Sequence, residues 1–238
     1  VLKKGIISVY LFVCLSLLTG CLYPEDRRLE NNVPIETQIA SVQDAVNRFH
    51  AETGVYPILN SDMDTPIYEK YVIDMGRLYP GYLGYIPASA FENGGPFRYV
   101  LVNMEQEPAV KLIDLRISSQ VATIQSLVNE YYFKKGKYPF GDPFDTYSYH
   151  IAYKELKTSP PRIESPFSGQ LLNLLITPKG EVFVDYGIDI GIYINKGLAY
   201  EGKDAREVLV QNSYFVPVKS YPYVWQNGEA KLLFQLTK

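Results

Sequence analysis

The chain has 238 residues, 47% hydrophobic and 21% charged, a balance that excludes a disordered, collagen-like or polytopic membrane protein and points to one or two folded domains. Its formal net charge is −3, and residues 21–238 carry 21 basic against 26 acidic side chains, so non-specific nucleic-acid binding, which rests on Lys and Arg neutralising phosphates, is not expected. Two Cys and two His leave little material for a disulfide framework or a thiolate or imidazole metal site.

The amino terminus places Lys3 and Lys4 before a fourteen-residue apolar run at 5–18. That is the layout of an export signal and too short to span a bilayer comfortably. Leu18-Thr19-Gly20-Cys21 follows directly and resembles the bacterial lipobox. The resemblance implies cleavage before Cys21 and diacylation of its thiol, giving a lipoprotein on the extracytoplasmic face of the cell membrane with membrane lipid as its first partner. Two acyl chains give stable anchoring where one is marginal. Cys14 would leave with the signal at 1–20, so the mature chain would hold one blocked cysteine and no disulfide despite export. Residues 21–33, with Pro24, Glu25, Asp26, Arg27, Arg28 and Glu30, read as a polar tether.

Residues 38–57 and 120–139, at a constant offset of 82, align without a gap as QIASVQDAVNRFHAETGVYP and QVATIQSLVNEYYFKKGKYP, with eight of twenty positions identical. Ile39, Val42, Val46 and Phe49 fall on one helical face, as do Val121, Ile124, Val128 and Tyr131. Each helix ends in Gly-x-Tyr-Pro. Gly54 and Gly136 suit a C-cap that needs positive φ, and the proline beyond stops any continuation. The intervening Tyr56 and Tyr138 are expected to fold back onto their helices.

After each helix comes an irregular stretch rich in Tyr, Pro and Asp, then two strand-like runs: 97–102 with 110–115 in the first half, 171–176 with 182–186 in the second, the latter joined through Thr177-Pro178-Lys179-Gly180. The helix ending in Gly-x-Tyr-Pro, the loop from Leu78-Tyr79-Pro80 to Pro87, and Gly95-Pro96-Phe97-Arg98-Tyr99 leading into a hairpin resemble the globular head of the major pseudopilins of type II secretion. The second unit resembles it through Ser165-Pro166-Phe167-Ser168-Gly169. The resemblance implies an α+β fold of two tandem helix-loop-hairpin units. A lipobox and tether stand where pilins carry their polymerising helix, so fibre formation is not expected. Related pseudopilins hold calcium with loop carboxylates; the counterparts here are Asp62 and Asp64, then Asp142 and Asp145, acidic loop residues that solvation alone explains. The chain also resembles uncharacterised lipoproteins of Gram-positive spore-forming bacteria, which brings no activity with it.

The expected organisation is a signal at 1–20, a tether at 21–33, units at 34–117 and 118–190, and a C-terminal helix and hairpin extension at 191–238. From Gly187 to Lys238, 188–194 reads as a strand, 204–211 as a helix capped by Asp204, and 214–225 with 229–236 as strands around Asn227-Gly228, a type I′ turn signal. Pro217 and Pro222 would put the first of these at an edge, extending or covering the second unit's sheet.

No nucleophile elbow, His-Glu-x-x-His, Walker loop or Gly-x-Gly-x-x-Gly occurs. His50 and His150 read as packing residues, and Asp185 with Asp189 form a carboxylate pair whose separation sequence cannot set. No cofactor is expected. The compositional excess is tyrosine, 21 residues, with clusters at Tyr79, Tyr82, Tyr85 and at Tyr147, Tyr149, Tyr153. These pair apolar area with a polar tip and suit a contact surface. The expectation is a non-enzymatic interaction or envelope-scaffold lipoprotein with an envelope or secretion-related protein partner. The alternatives are a solute-binding lipoprotein of a transporter and a cell-wall-modifying enzyme.

Overall fold

The computed structural model describes residues 33–199 and 203–234, so the leader, Cys21 and all but the end of the tether lie outside the described residues. The fold is α+β, and no described helix is long and apolar enough to cross a membrane.

Helix α1 (Ile35–Thr53) buries Ile39, Val42, Ala45 and Val46 along one stripe. It stops at Gly54, whose φ of 73° lets its N–H reach the His50 carbonyl at 2.8 Å. Two one-turn helices follow, α2 (Ile67–Lys70) and α3 (Met75–Leu78), then the hairpin of β1 (Phe97–Val102) and β2 (Ala109–Asp114). Tyr99, Leu101, Val110 and Leu112 face the cluster that holds α1. Val100, Val102 and Ile113 face the opposite way, into a second and larger cluster. A hairpin buried on both faces explains the unbroken apolar stretches 99–102 and 112–113 within these strands.

Helix α4 (Leu115–Lys135) starts with no residue between it and β2, because Asp114 ends the strand and its carboxylate accepts the Arg116 N–H at 2.9 Å. Ile117, Val121, Ile124 and Val128 form its buried stripe, and Gly136 ends it at φ 68°. The second sheet is antiparallel and centres on β6 (Leu171–Ile176), with β7 (Val182–Asp185) along it. Strand β4 (Tyr149–Ile151) meets the C-terminal end of β6 and β5 (Ile163–Glu164) its N-terminal end, while β3 (Phe140–Pro143) pairs with β4. These three short strands form inside a stretch that reads as irregular in the sequence.

The two units share their hydrogen bonds as well as their order. Gln43 Oε1 accepts the Val110 N–H at 2.7 Å, while its Nε2 donates to the Pro108 carbonyl and to Asn47 Oδ1. Gln125 repeats all three: Oε1 accepts from Val182 N–H at 2.7 Å, and Nε2 donates to the Gly180 carbonyl and Asn129 Oδ1. Each glutamine thus clamps its helix to the second strand of its own hairpin. Tyr56 stacks on His50 with centroids 4.0 Å apart, and Tyr138 stacks on Tyr132 at 4.3 Å. The Pro57 carbonyl accepts from Asp74 N–H and the Pro139 carbonyl from Ala152 N–H, both at 2.8 Å. The identities at Gln43/Gln125, Asn47/Asn129, Tyr56/Tyr138 and Pro57/Pro139 are those the shared geometry uses. Gly180 has φ 83°, and a Cβ there would lie 2.0 Å from the Tyr138 ring.

The C-terminal part departs from its sequence reading. Residues expected as a strand form helix α5 (Gly187–Asn195). Ile188, Ile190, Ile192 and Ile194 alternate at period two, but Asp185 accepts the Gly187 N–H at 2.9 Å and starts a helix, burying Asp189 and Ile190. Helix α6 (Glu207–Gln211) is shorter than expected, with Asp204 bonded to Arg206 N–H in the turn before it. Of the long run at 214–225 only β8 (Tyr223–Gln226) is a strand. Pro217 and Pro222 lack the N–H a ladder needs, and the segment before β8 instead crosses both units, bonding Leu112 N–H to the Tyr214 carbonyl and Val184 N–H to the Lys219 carbonyl. Asn227 and Gly228 (φ 55° and 81°) turn β8 into β9 (Glu229–Leu232). This hairpin is a separate two-stranded sheet rather than an extension of the second one, and α5 packs on β9 as α1 does on β2 and α4 on β7. The chain therefore builds a third, abbreviated unit on the same plan.

Candidate functional site

A groove of about 880 Å³ opens on the described surface, inside the range of small-ligand sites. One wall comes from the loop around Met63 and Ile67, the second from the β6–β7 turn, and the third from residues 219–222. The aromatic lining is mutually packed: Phe183 meets Tyr221 edge-on at 5.0 Å, Tyr221 lies 4.8 Å from Phe234, and Tyr147 5.8 Å from Phe234. Phe183 projects here because β7 alternates, its neighbours Val182 and Val184 pointing into the core cluster.

Arg206, Glu69, Lys219 and Glu181 among the charges of the groove are engaged. Arg206 is 5% exposed, and its Nε and Nη2 pair with the Asp204 carboxylate while Nη1 donates to the Ser220 carbonyl at 2.6 Å. Its guanidinium also lies 5.0 Å from the centre of the Tyr68 ring. Glu69 accepts from the Lys219 backbone N–H at 3.0 Å and from its Nζ at 2.7 Å, tying the first unit to the C-terminal segment across the groove. Tyr221 donates its hydroxyl to Glu181, and burial together with that bond pushes the phenol well above its ordinary range. Sequence reasoning missed Arg206, Glu69, Phe183 and Tyr221. A signal for Arg206 existed, since Asp204-Ala205-Arg206 repeats the spacing of Asp114-Leu115-Arg116, and both form the same bidentate pair.

The two tyrosine clusters are not brought together. Tyr79 and Tyr85 are exposed, whereas Tyr82 packs edge-on against Phe49 at 5.1 Å and donates to Glu52 at 2.6 Å. Tyr147 alone of the second cluster reaches the groove, with half its surface exposed. Tyr149 packs on Phe140 at 4.7 Å, and Tyr153 packs on the main core, where burial raises its phenol to about 12. Much of the tyrosine excess is structural: Tyr82, Tyr131, Tyr221 and Tyr223 each donate to a carboxylate.

His50 is stacked on Tyr56 and His150 meets Phe144 edge-on at 5.5 Å, so both engage aromatic rings. Asp145 accepts from Tyr147 N–H and Ser148 Oγ, which accounts for it as a turn residue. Asp62, Asp64 and Asp142 are exposed, and among the described residues no three His, Cys, Asp or Glu side chains are grouped to hold a metal. Asp185 and Asp189 are both buried. Asp185 accepts from Gly187 N–H and the Tyr223 hydroxyl; Asp189 accepts from the Ser165 hydroxyl at 2.9 Å and from that of Ser168.

Burial lifts the Asp189 carboxyl above its ordinary value of 3.8, opposed by the two serine hydrogen bonds and reinforced by Asp185. A raised native pKa means that the folded chain holds the proton to higher pH than the unfolded chain, so the contribution to stability is full at low pH and declines as pH rises upward from about 4. Urea unfolding across that range is expected to show the wild-type protein losing stability relative to Asp189→Asn. A pH-independent difference would remove the assignment.

The fold and groove define an α+β protein of tandem helix-hairpin units with a concave surface of mixed aromatic and polar lining. Residues 35–114, from α1 to the end of β2, match the model of the YphF family N-terminal domain. No curated protein and no solved structure matches the chain.

Proposed function

We propose that this is a lipid-anchored extracytoplasmic lipoprotein, held by a diacylated Cys21, that works by binding an envelope or secretion-related protein without catalysing a reaction. The groove is the observation that carries the contact reading: a wide concavity with clustered aromatic side chains, in which exposed Met63, Ile67 and Tyr147 flank paired charges. Aromatic anchors of this kind concentrate binding energy, each costing about 2 kcal/mol or more when truncated. The anchor follows from the lipobox residues, and the pseudopilin-like units would present the groove to an assembly at the membrane.

Two measurements test it in intact cells. Cys21→Ser is expected to leave the chain unlipidated and to release it in part from the membrane fraction; full retention with normal processing would remove the anchor. A photo-crosslinker at Tyr147 or Ile67 is expected to yield one shared adduct, absent when the crosslinker stands at exposed Phe133 on α4, outside the groove. The groove also favours a second reading, solute binding between the units. Adducts absent at all three positions, with a small molecule co-purifying with the chain, would establish it. Turnover of a peptidoglycan fragment that is lost on changing one His or Asp in a folded variant would establish an enzyme instead.

A further inference from the structure

Beside the groove, sharing Thr65 and Glu69 with it, lies a smaller cavity of about 400 Å³ lined by the loop from Leu59 to Asp62, by Lys70 and by Arg98 of β1. Arg98 is the unusual member. Arg48, Arg77, Arg116 and Arg206 each pair with an aspartate; Arg162 has no ion pair among the described residues either, but it has no buried nitrogen left without a partner. The Arg98 guanidinium has no hydrogen bond or ion pair among the described residues, and its Nε is shielded from solvent with no acceptor. Its one charge-stabilising contact is the Phe91 ring, whose centre lies 5.0 Å away. A buried donor without an acceptor is costly, and a charged one more so.

The surrounding charges favour an anion. Glu69 lines the cavity but is neutralised by Lys219, and Lys70 Nζ donates only to the Met63 carbonyl at 3.2 Å. That leaves Arg98 and Lys70 against Asp62, a net positive wall in a chain that is negative overall. The rest of the wall sets the polar, uncharged Asn60, Ser61 and Thr65 beside the apolar Leu59 and Val72. The forked guanidinium matches the planar geometry of a carboxylate.

We infer that this cavity is a carboxylate-binding site, with Arg98 as the group that receives the anion and the neighbouring groove holding the apolar remainder of the same ligand. The inference stands independently of the lipid anchor and of whether the ligand is a peptide end or a free acid. It is tested on the purified full chain by following the Arg98 Nε–H resonance while adding N-acetylglycine, its uncharged amide, acetate, inorganic phosphate or chloride at constant ionic strength. N-acetylglycine and acetate are expected to shift that resonance saturably, and the amide and chloride to leave it in place. Stronger binding of N-acetylglycine than of acetate would point to a peptide end, and equal binding to a free acid; either supports the site. Arg98→Gln should weaken binding about tenfold or more, and Arg98→Lys by less, because it keeps the charge and loses the fork. No saturable shift with either carboxylate, an equal shift with chloride, or saturation by phosphate in preference would overturn it. The wild-type titration decides the matter even where Arg98→Gln does not fold.

Discussion

Gly95→Ala is expected to be the most damaging single substitution in the first unit, lowering stability by about 4 kcal/mol or more. A Cβ at position 95 would lie 2.2 Å from the Ser89 carbonyl carbon and 2.5 Å from the Ala88 carbonyl oxygen, both backbone atoms. That backbone has no freedom to move aside. The Gln38 side chain accepts from Ser89 N–H at 3.2 Å and from its hydroxyl at 2.7 Å, and the same hydroxyl contacts the fully buried Tyr99 phenol at 2.7 Å. The Phe97 N–H also bonds to the Ser89 carbonyl at 3.0 Å. Relieving the clash therefore breaks the link between α1, the loop and β1 together. Thermal unfolding should show a midpoint lowered by about 10 °C or more for a domain of this size. A midpoint within about 2 °C of wild type would mean that the close approach at Gly95 is not present in solution.

The second large effect belongs to the clamp shared by both units. Gln43→Ala and Gln125→Ala are each expected to cost about 2–3 kcal/mol, because each leaves a buried strand N–H, of Val110 or Val182, without its acceptor and also removes two donated bonds. The informative feature is the similarity of the two losses. Asn47→Ala and Asn129→Ala remove only the exposed bond between neighbouring turns and should cost much less. Urea unfolding of the four variants measures all of this. A large loss at one glutamine and a negligible one at the other would show that the equivalent geometry does not carry equivalent energy.

Both clamps were visible in the sequence as identities, though not as clamps. Helical periodicity accounts for Val46 and Val128, but a polar residue repeated on a helix flank, as Gln43 and Gln125 are, has no reason in the helix itself. Its reason is the edge of a strand some sixty residues away. Turn chemistry was legible for the same local cause that makes it work: Gly54, Gly136 and Asn227-Gly228 adopt positive φ as their residue types require. The failure at Ile188 to Ile194 has the opposite origin, since alternating isoleucines satisfy a strand pattern, while the helix is selected by the Asp185 bond to Gly187 N–H together with the long-range partners of Asp185 and Asp189. The groove was illegible because it is built largely from 63–69, 177–183 and 219–222, the first and last meeting through Glu69 and Lys219 at a separation of 150 residues and the last two through Glu181 and Tyr221.

Asp114 closes one unit and opens the next, and this limits where the chain can be cut. A fragment ending at that residue would hold the whole of its own helix and hairpin and yet present Val100, Val102 and Ile113 as bare oil, since α4 and the elements beyond it are what keep them from water. The stretch that matches a family model is thus a unit of recognition without being a unit of folding. Genetic transplantation of residues 35–114 alone would yield a sticky, self-associating product. Modular exchange in such an array has to move a following helix along with each hairpin, so inheritance by whole repeats is favoured over inheritance by halves.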